Sequence, residues 1–125
     1  MAASSKLCLI LAALSGLISV IAGAYAAHGV ADPSGQDFMR IASTYEMNHA
    51  LAVFAAIFVA EKGARRAIVA AWLFLAGALL FCGSLYAVAL GAPKAVAIAT
   101  PAGGLAFMAG WIALVWACIG LKKPA

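Results

Sequence analysis

Glu46 and His49 stand in the middle of an apolar stretch, with Tyr45 and Asn48 beside them. A carboxyl and an imidazole three residues apart share one face of a helix, and so do Tyr45 and His49 at four residues. Such a pair can bind and release a proton, hold a cation, or hydrogen-bond a small ligand. Five more polar side chains lie towards the ends of other apolar runs: Tyr25, His28, Ser84, Tyr86 and Thr100. With Tyr45, Glu46 and His49 they form the candidate ligand-binding set. The same residues also support a plainer role, in which Glu46 hydrogen-bonds Tyr25, Tyr86 or Thr100 and locks helices together. Burial disfavours charge on both Glu46 and His49, whereas an ion pair between them favours it, so a doubly neutral and a doubly charged arrangement both stay open. Asn48 points from another face, towards a different neighbour.

Other chemistries fit less well. Haem ligation by two histidines needs both at one depth, and His28 and His49 are at different depths. Ser84 and His49 can meet, but the chain has no nucleophile elbow and no triad spacing. Cys8, Cys82 and Cys118 form no Cys-x-x-Cys pair and sit within or at the edge of apolar runs, where a thiol packs as a small apolar group. The expectation is therefore a protein without a metal, a cofactor or catalytic residues, and not an enzyme.

The elements that position these residues follow from composition. Of 125 residues 67% are apolar and 10% charged, with a mean hydropathy of +1.10. Soluble domains carry about 25% charged residues, so a water-soluble domain is excluded. A membrane-spanning helix takes about 20 mostly apolar residues. The apolar runs predict four such helices, at about 7–27, 40–60, 67–90 and 97–120, in a single membrane domain over 1–125. The run from Leu7 to Ala27 is too long for the core of a signal peptide, and its small residues Ser15, Ser19, Gly23 and Ala27 recur every four positions, as on a helix-packing face. Asp32-Pro33-Ser34-Gly35 reads as a turn. Thr100-Pro101 places a proline in the first turn of the last helix, where its missing N–H is tolerated.

The net charge of +4 does not point to nucleic acid, because the basic residues are scattered between apolar runs. They set topology instead. Lys6, Lys62, Arg65, Arg66, Lys122 and Lys123 fall on one side, and Arg40 and Lys94 on the other, which puts both termini in the cytoplasm. At 1.5 Å per residue from Arg40, Glu46 is about 9 Å deep and His49 about 14 Å deep, near the midplane. The other polar candidates all fall in the outer half, leaving Ser15 and two cysteines in the inner half. The expected fold is an all-α integral membrane protein, a four-transmembrane-helix bundle with an outward-facing polar pocket built from all four helices above an apolar floor.

Four sequence blocks also carry a resemblance. Gly23-Ala24-Tyr25-Ala26-Ala27-His28-Gly29, Tyr45-Glu46-Met47-Asn48-His49-Ala50-Leu51, Phe81-Cys82-Gly83-Ser84-Leu85-Tyr86, and Thr100-Pro101-Ala102-Gly103-Gly104 followed by Gly110-Trp111 resemble, in order, the motifs of domain-of-unknown-function family 423. These are the YgdD-like small inner-membrane proteins, similar also to transmembrane protein 256. The blocks span nearly the whole chain. The resemblance implies four transmembrane helices and a multi-pass location in the bacterial inner (plasma) membrane, and it supplies no activity, substrate or catalytic residue. This chain departs from the family pattern at Glu46, where glutamine is usual, and at Ala26, where glycine is usual.

Three function classes remain, of which a membrane enzyme has the least support. One is a membrane protein whose Glu46/His49 pocket binds a small ligand or a proton. The alternative is a non-catalytic accessory or assembly subunit of a larger membrane complex, a role suited to small-residue faces and short loops. The partners expected are the lipid bilayer and either further copies of the chain or a larger complex.

Overall fold

A computed structural model describes residues 1–123; the last two positions of the expected 1–125 domain lie outside the described residues. Four helices succeed one another: Ala3–His28, Pro33–Glu61, Ala67–Ala89, and Ala99–Ile119 preceded by a 3-10 turn at Lys94–Ile98. The first, the third and the fourth with its 3-10 turn are long and apolar enough to cross a membrane. The second is the longest at 29 residues, and its polar residues distinguish it from the rest.

The helices pack through small residues and turn their large ones outward. On the first helix the buried positions are Ser5, Cys8, Ala12, Ser15, Ser19, Ala22 and Ala26, spaced alternately three and four apart. The second helix buries Gly35, Met39, Ala42, Glu46, His49, Val53, Ala56 and Ala60 at the same spacing. The fourth buries Gly103, Phe107, Gly110, Leu114 and Ala117. This period of about 3.5 residues is that of helices packed along a left-handed seam. Leu14, Leu17, Ile18, Ile112 and Val115 lie exposed on the flanks, the inverse of a water-soluble core.

The expected four-residue stripe is corrected by this spacing. Ser15 and Ser19 are buried, Gly23 is half-buried and Ala27 is exposed. Each step of four residues turns about 40° past a full rotation, so a four-spaced row leaves the contact after two members. The true seam steps back by three, to Ala22 and Ala26.

The first two seams also mirror each other about the turn that joins their helices. Counting outward from that turn, Ala26 matches Gly35, Ala22 matches Met39, Ser19 matches Ala42, Ser15 matches Glu46 and Ala12 matches His49. An antiparallel pair with a short connection needs this symmetry if both buried faces are to meet along their full length.

The helix ends have local causes. Asp32 caps the second helix, its carboxylate accepting the Gly35 N–H at 3.1 Å, with Pro33 at the first helical position. The expected turn at 32–35 is thus the start of a helix that extends well beyond position 40. At the opposite end, Arg66 donates to the Trp116 carbonyl at 2.6 Å and stacks 4.2 Å above the Trp116 ring. That carbonyl is among the last four of the fourth helix, which lack intrahelical partners.

The third helix is not uniform. A π-helical turn at Ala78–Cys82 separates α-helical Ala67–Gly77 from Gly83–Ala89. Gly103 of the fourth helix lies directly against this turn, so close that an added β-carbon would stand 2.8 Å from the Phe81 Cα. A β-carbon on Gly104 would stand 3.8 Å from the Phe81 ring, an ordinary contact. Gly103→Ala should therefore cost about 1–3 kcal/mol through overpacking against backbone, seen as a lower melting temperature in detergent, whereas Gly104→Ala should melt near wild type.

Candidate functional site

Glu46 is 6% exposed, and each carboxyl oxygen accepts one hydroxyl hydrogen bond. Ser15 of the first helix donates to Oε2 at 2.7 Å, and Tyr86 of the third donates to Oε1 at 2.7 Å. One side chain of the second helix thus ties it to two others. Both distances are typical of strong O–H···O bonds. Cys82, also buried, comes from the π-helical turn one helical turn before Tyr86.

The carboxyl forms part of the wall of a cavity of about 600 Å³. Its other lining residues are mostly apolar, among them Leu11, Leu14, Ile18, Trp72, Leu75 and Leu79. Leu11, Leu14, Ile18, Trp72 and Leu79 are exposed, so the cavity opens on the flank between the first and third helices. It does not open at the outer end, and the fourth helix contributes nothing to it. The expected outward-facing pocket built by four helices is therefore a flank cavity built by three.

His49 belongs to a different cluster. Its Nδ1 lies 2.7 Å from the Tyr45 carbonyl, which only accepts, and its Nε2 lies 3.1 Å from the Trp111 indole nitrogen, which only donates. These two bonds together require the neutral ring with its hydrogen on Nδ1, leaving no free nitrogen. The ring is stacked on Phe107, centroids 3.6 Å apart, and Phe74 and Trp111 close around it. His49 fastens the second helix to the fourth. Residues three apart on a helix differ by about 60° around its axis, enough for Glu46 and His49 to meet different neighbours.

The other candidates divide further. Tyr45 is 44% exposed and packs on Phe81 at 4.8 Å between ring centroids. Ser84 donates to the Phe81 carbonyl at 3.0 Å and lies 2.5 Å from the Thr100 hydroxyl. With the serine proton on the carbonyl, Thr100 is the donor of that second bond, and the pair fastens the third helix to the fourth. Tyr25 is 47% exposed and rests over Gly29, and His28 is exposed at the end of the first helix. Neither Tyr25 nor Thr100 bonds Glu46; of the expected donors, Tyr86 alone does.

Ser15 is the partner that depth arithmetic overlooks. Counted from Arg40, Glu46 looks shallow, and Ser15 falls on the apolar floor. Counted from the joining turn, Ser15 and Glu46 are equally far along their helices, and the three-and-four spacing of small residues places Ser15 on the buried face. That spacing is visible in the sequence.

With this geometry in hand, comparison with known proteins places the chain among relatives. Residues 22–104 match the family model described as "Protein of unknown function (DUF423)". The "UPF0382 membrane protein YwdK" of Bacillus subtilis (strain 168) is 36% identical, the match covering 91% of this chain and 97% of the relative. A "UPF0382 membrane protein" of Haemophilus influenzae is 38% identical, with 92% and 95% covered. The "UPF0382 inner membrane protein YgdD" of Escherichia coli (strain K12) is 36% identical, with 96% and 95% covered. No solved structure matches the chain significantly.

The Glu46 cluster makes a direct demand on substitutions. Glu46→Gln keeps the shape and an acceptor for one hydroxyl, and should melt close to wild type in detergent. Glu46→Leu strands the Ser15 and Tyr86 hydroxyls and should destabilise by about 1–3 kcal/mol. A Leu variant melting with wild type would mean that the two hydroxyl bonds hold nothing together.

Proposed function

Since the chain belongs to the DUF423 family, whose description assigns no activity, we propose its function from the site: it is a multi-pass protein of the bacterial inner membrane that binds a small ligand or a proton at Glu46 and catalyses no covalent chemistry. The observation that carries this reading is a buried carboxyl, bonded by two hydroxyls, in the wall of an otherwise apolar cavity open to the flank. An ionisable side chain at membrane depth costs at least about 2.5 kcal/mol to insert. A purely structural tie needs no cavity beside it, and the cavity gives a molecule dissolved in the lipid direct access to the carboxyl.

In this reading the second helix also spans, giving four spans with both termini cytoplasmic. Between Arg40 and Glu61 its only charged residue is Glu46, and about 20 helical residues cover the roughly 30 Å of hydrocarbon. The six-to-two division of basic residues supports the orientation.

One observation favours a second reading, the accessory or assembly subunit, alone or as several copies. Ser19, Ser43, Thr44 and Asn48 line a shallow hollow of about 310 Å³ between the first and second helices, and Thr44 and Asn48 are exposed. Polar side chains facing lipid bind neighbouring helices, so this face suits a partner helix.

Two measurements test the first reading. Single cysteines at Glu61 and Leu121, in a chain with Cys8, Cys82 and Cys118 replaced, should label only from the cytoplasmic side, and cysteines at Ser34 and Ala95 only from the outside. These positions leave every basic residue in place. Labelling of position 61 from outside overturns the four-span topology. Gly83 lines the cavity and has open space where a β-carbon would be, so Gly83→Leu should fill it while the fold persists. Mass spectrometry after mild-detergent purification should find a small molecule on wild type and not on Gly83→Leu; equal retention by both removes the cavity from the function.

A further inference from the structure

Resting on the reading of the flank cavity as a ligand site, we infer that its ligands are lipophilic cations, quaternary ammonium or phosphonium ions with the charge wrapped in carbon, paired with the Glu46 carboxyl. Four observations lead there. First, among the described residues the ion pairs are Asp37–Arg40 and Glu61–Arg65, both exposed, and neither reaches Glu46. Lys6 is nine residues from Ser15, about 14 Å along the first helix, and the third helix from Ala67 to Ala89 carries no basic residue. A buried carboxylate with no countercharge in the protein is paired best by a cation supplied from outside.

Second, the carboxyl keeps capacity. Each oxygen uses one acceptor site, for Ser15 or Tyr86, and a carboxylate has about four such sites. Third, the remaining cavity wall selects against hydrated cations. Its polar side chains other than Glu46 are Ser15, Tyr86 and the Trp72 indole, and the two hydroxyls already point their hydrogens at Glu46. A metal ion or a primary ammonium would leave its water and find too few oxygens here. A quaternary ion has no hydrogen bonds to lose. Fourth, Trp72 offers an indole ring, which attracts an organic cation through its π face, and the volume of about 600 Å³ lies within the 300–1,000 Å³ common for small-molecule sites.

Binding is an ion pairing between the carboxylate and the incoming cation, in which no covalent bond forms or breaks. The titratable groups around Glu46 are Tyr86 and Cys82 on the third helix and His49 on its own. The imidazole of His49 is turned to the fourth helix with both nitrogens engaged. On the first helix the nearest is Cys8, two turns below Ser15, and the fourth helix carries only Lys94 and Cys118, at its ends.

The test titrates the purified full chain in detergent with tetraphenylphosphonium and with its uncharged counterpart, tetraphenylmethane, following tryptophan fluorescence. Trp72→Phe identifies the part of the signal that comes from the cavity. The cation should change the Trp72 signal, and the uncharged probe should bind at least about tenfold more weakly. Glu46→Gln should bind the cation about a hundredfold more weakly, without preference over the neutral probe. Equal binding of both probes by wild type, or undiminished cation binding by Glu46→Gln, overturns the cation inference and leaves a ligand site of another class. If neither probe changes the Trp72 signal, the ligand-site reading itself falls.

Discussion

In a hydrocarbon solvent, packing one apolar side chain against another gains little over packing it against lipid. Helices there hold together by close backbone approach and by hydrogen bonds. Everything else in this fold depends on that constraint. It explains why the first seam is built of alanine, serine and cysteine and why glycines recur in the fourth, while most leucines and isoleucines face outward. It also explains why so few polar side chains carry so much of the organisation. Glu46 fastens the second helix to the first and third, His49 fastens it to the fourth, and Ser84 with Thr100 fastens the third to the fourth. Three small polar clusters link all four helices.

The π-helical turn at Ala78–Cys82 is coupled to these ties. An α-helix continued without it would carry Ser84 and Tyr86 to different angles around the axis, since one additional residue rotates every later position by about 100°. With the turn in place, Ser84 meets Thr100 on one side while Tyr86 meets Glu46 on the other. Gly103 closes against the same turn, so the glycine pair at 103–104 and the Phe81–Tyr86 block act on one feature. That feature was not legible in the sequence. A π turn is an exchange of hydrogen-bond partners that composition does not announce.

Other features were legible to different degrees. The helical class, the apolar runs and the family blocks come from hydropathy and motif order. The beginning of the second helix did not, because the charged residues Asp37 and Arg40 mark where apolar sequence starts, whereas Asp32 and Pro33 mark where the helix starts. That error of seven residues moved Glu46 away from Ser15 in the depth count. The choice of His49 and Glu46 as one site failed for an angular reason: a shared helix face about 60° wide is broad enough to touch two different neighbours. The small-residue stripe was half right, because rows of four drift whereas the contact keeps to an average of about 3.5.

The contrast between those two residues gives a way to separate a tie from a site. Both are buried, both are ionisable, and both bond two groups. His49 has two ring nitrogens and two partners of opposite kind, a carbonyl that accepts and an indole that donates. Its tautomer is fixed and its hydrogen-bonding capacity is exhausted, and aromatic rings close around it. Anything that bound there would first have to break the link between the second and fourth helices. Glu46 has two partners of the same kind, both donors, and acceptor sites to spare, with a cavity beside it. It keeps acceptor sites on the cavity side while Ser15 and Tyr86 hold it. A residue that holds a fold together and a residue that responds to a ligand differ in this residual capacity, not in burial or charge. By that criterion the second helix carries, three residues apart, one residue whose hydrogen-bonding capacity is exhausted and one with capacity to spare.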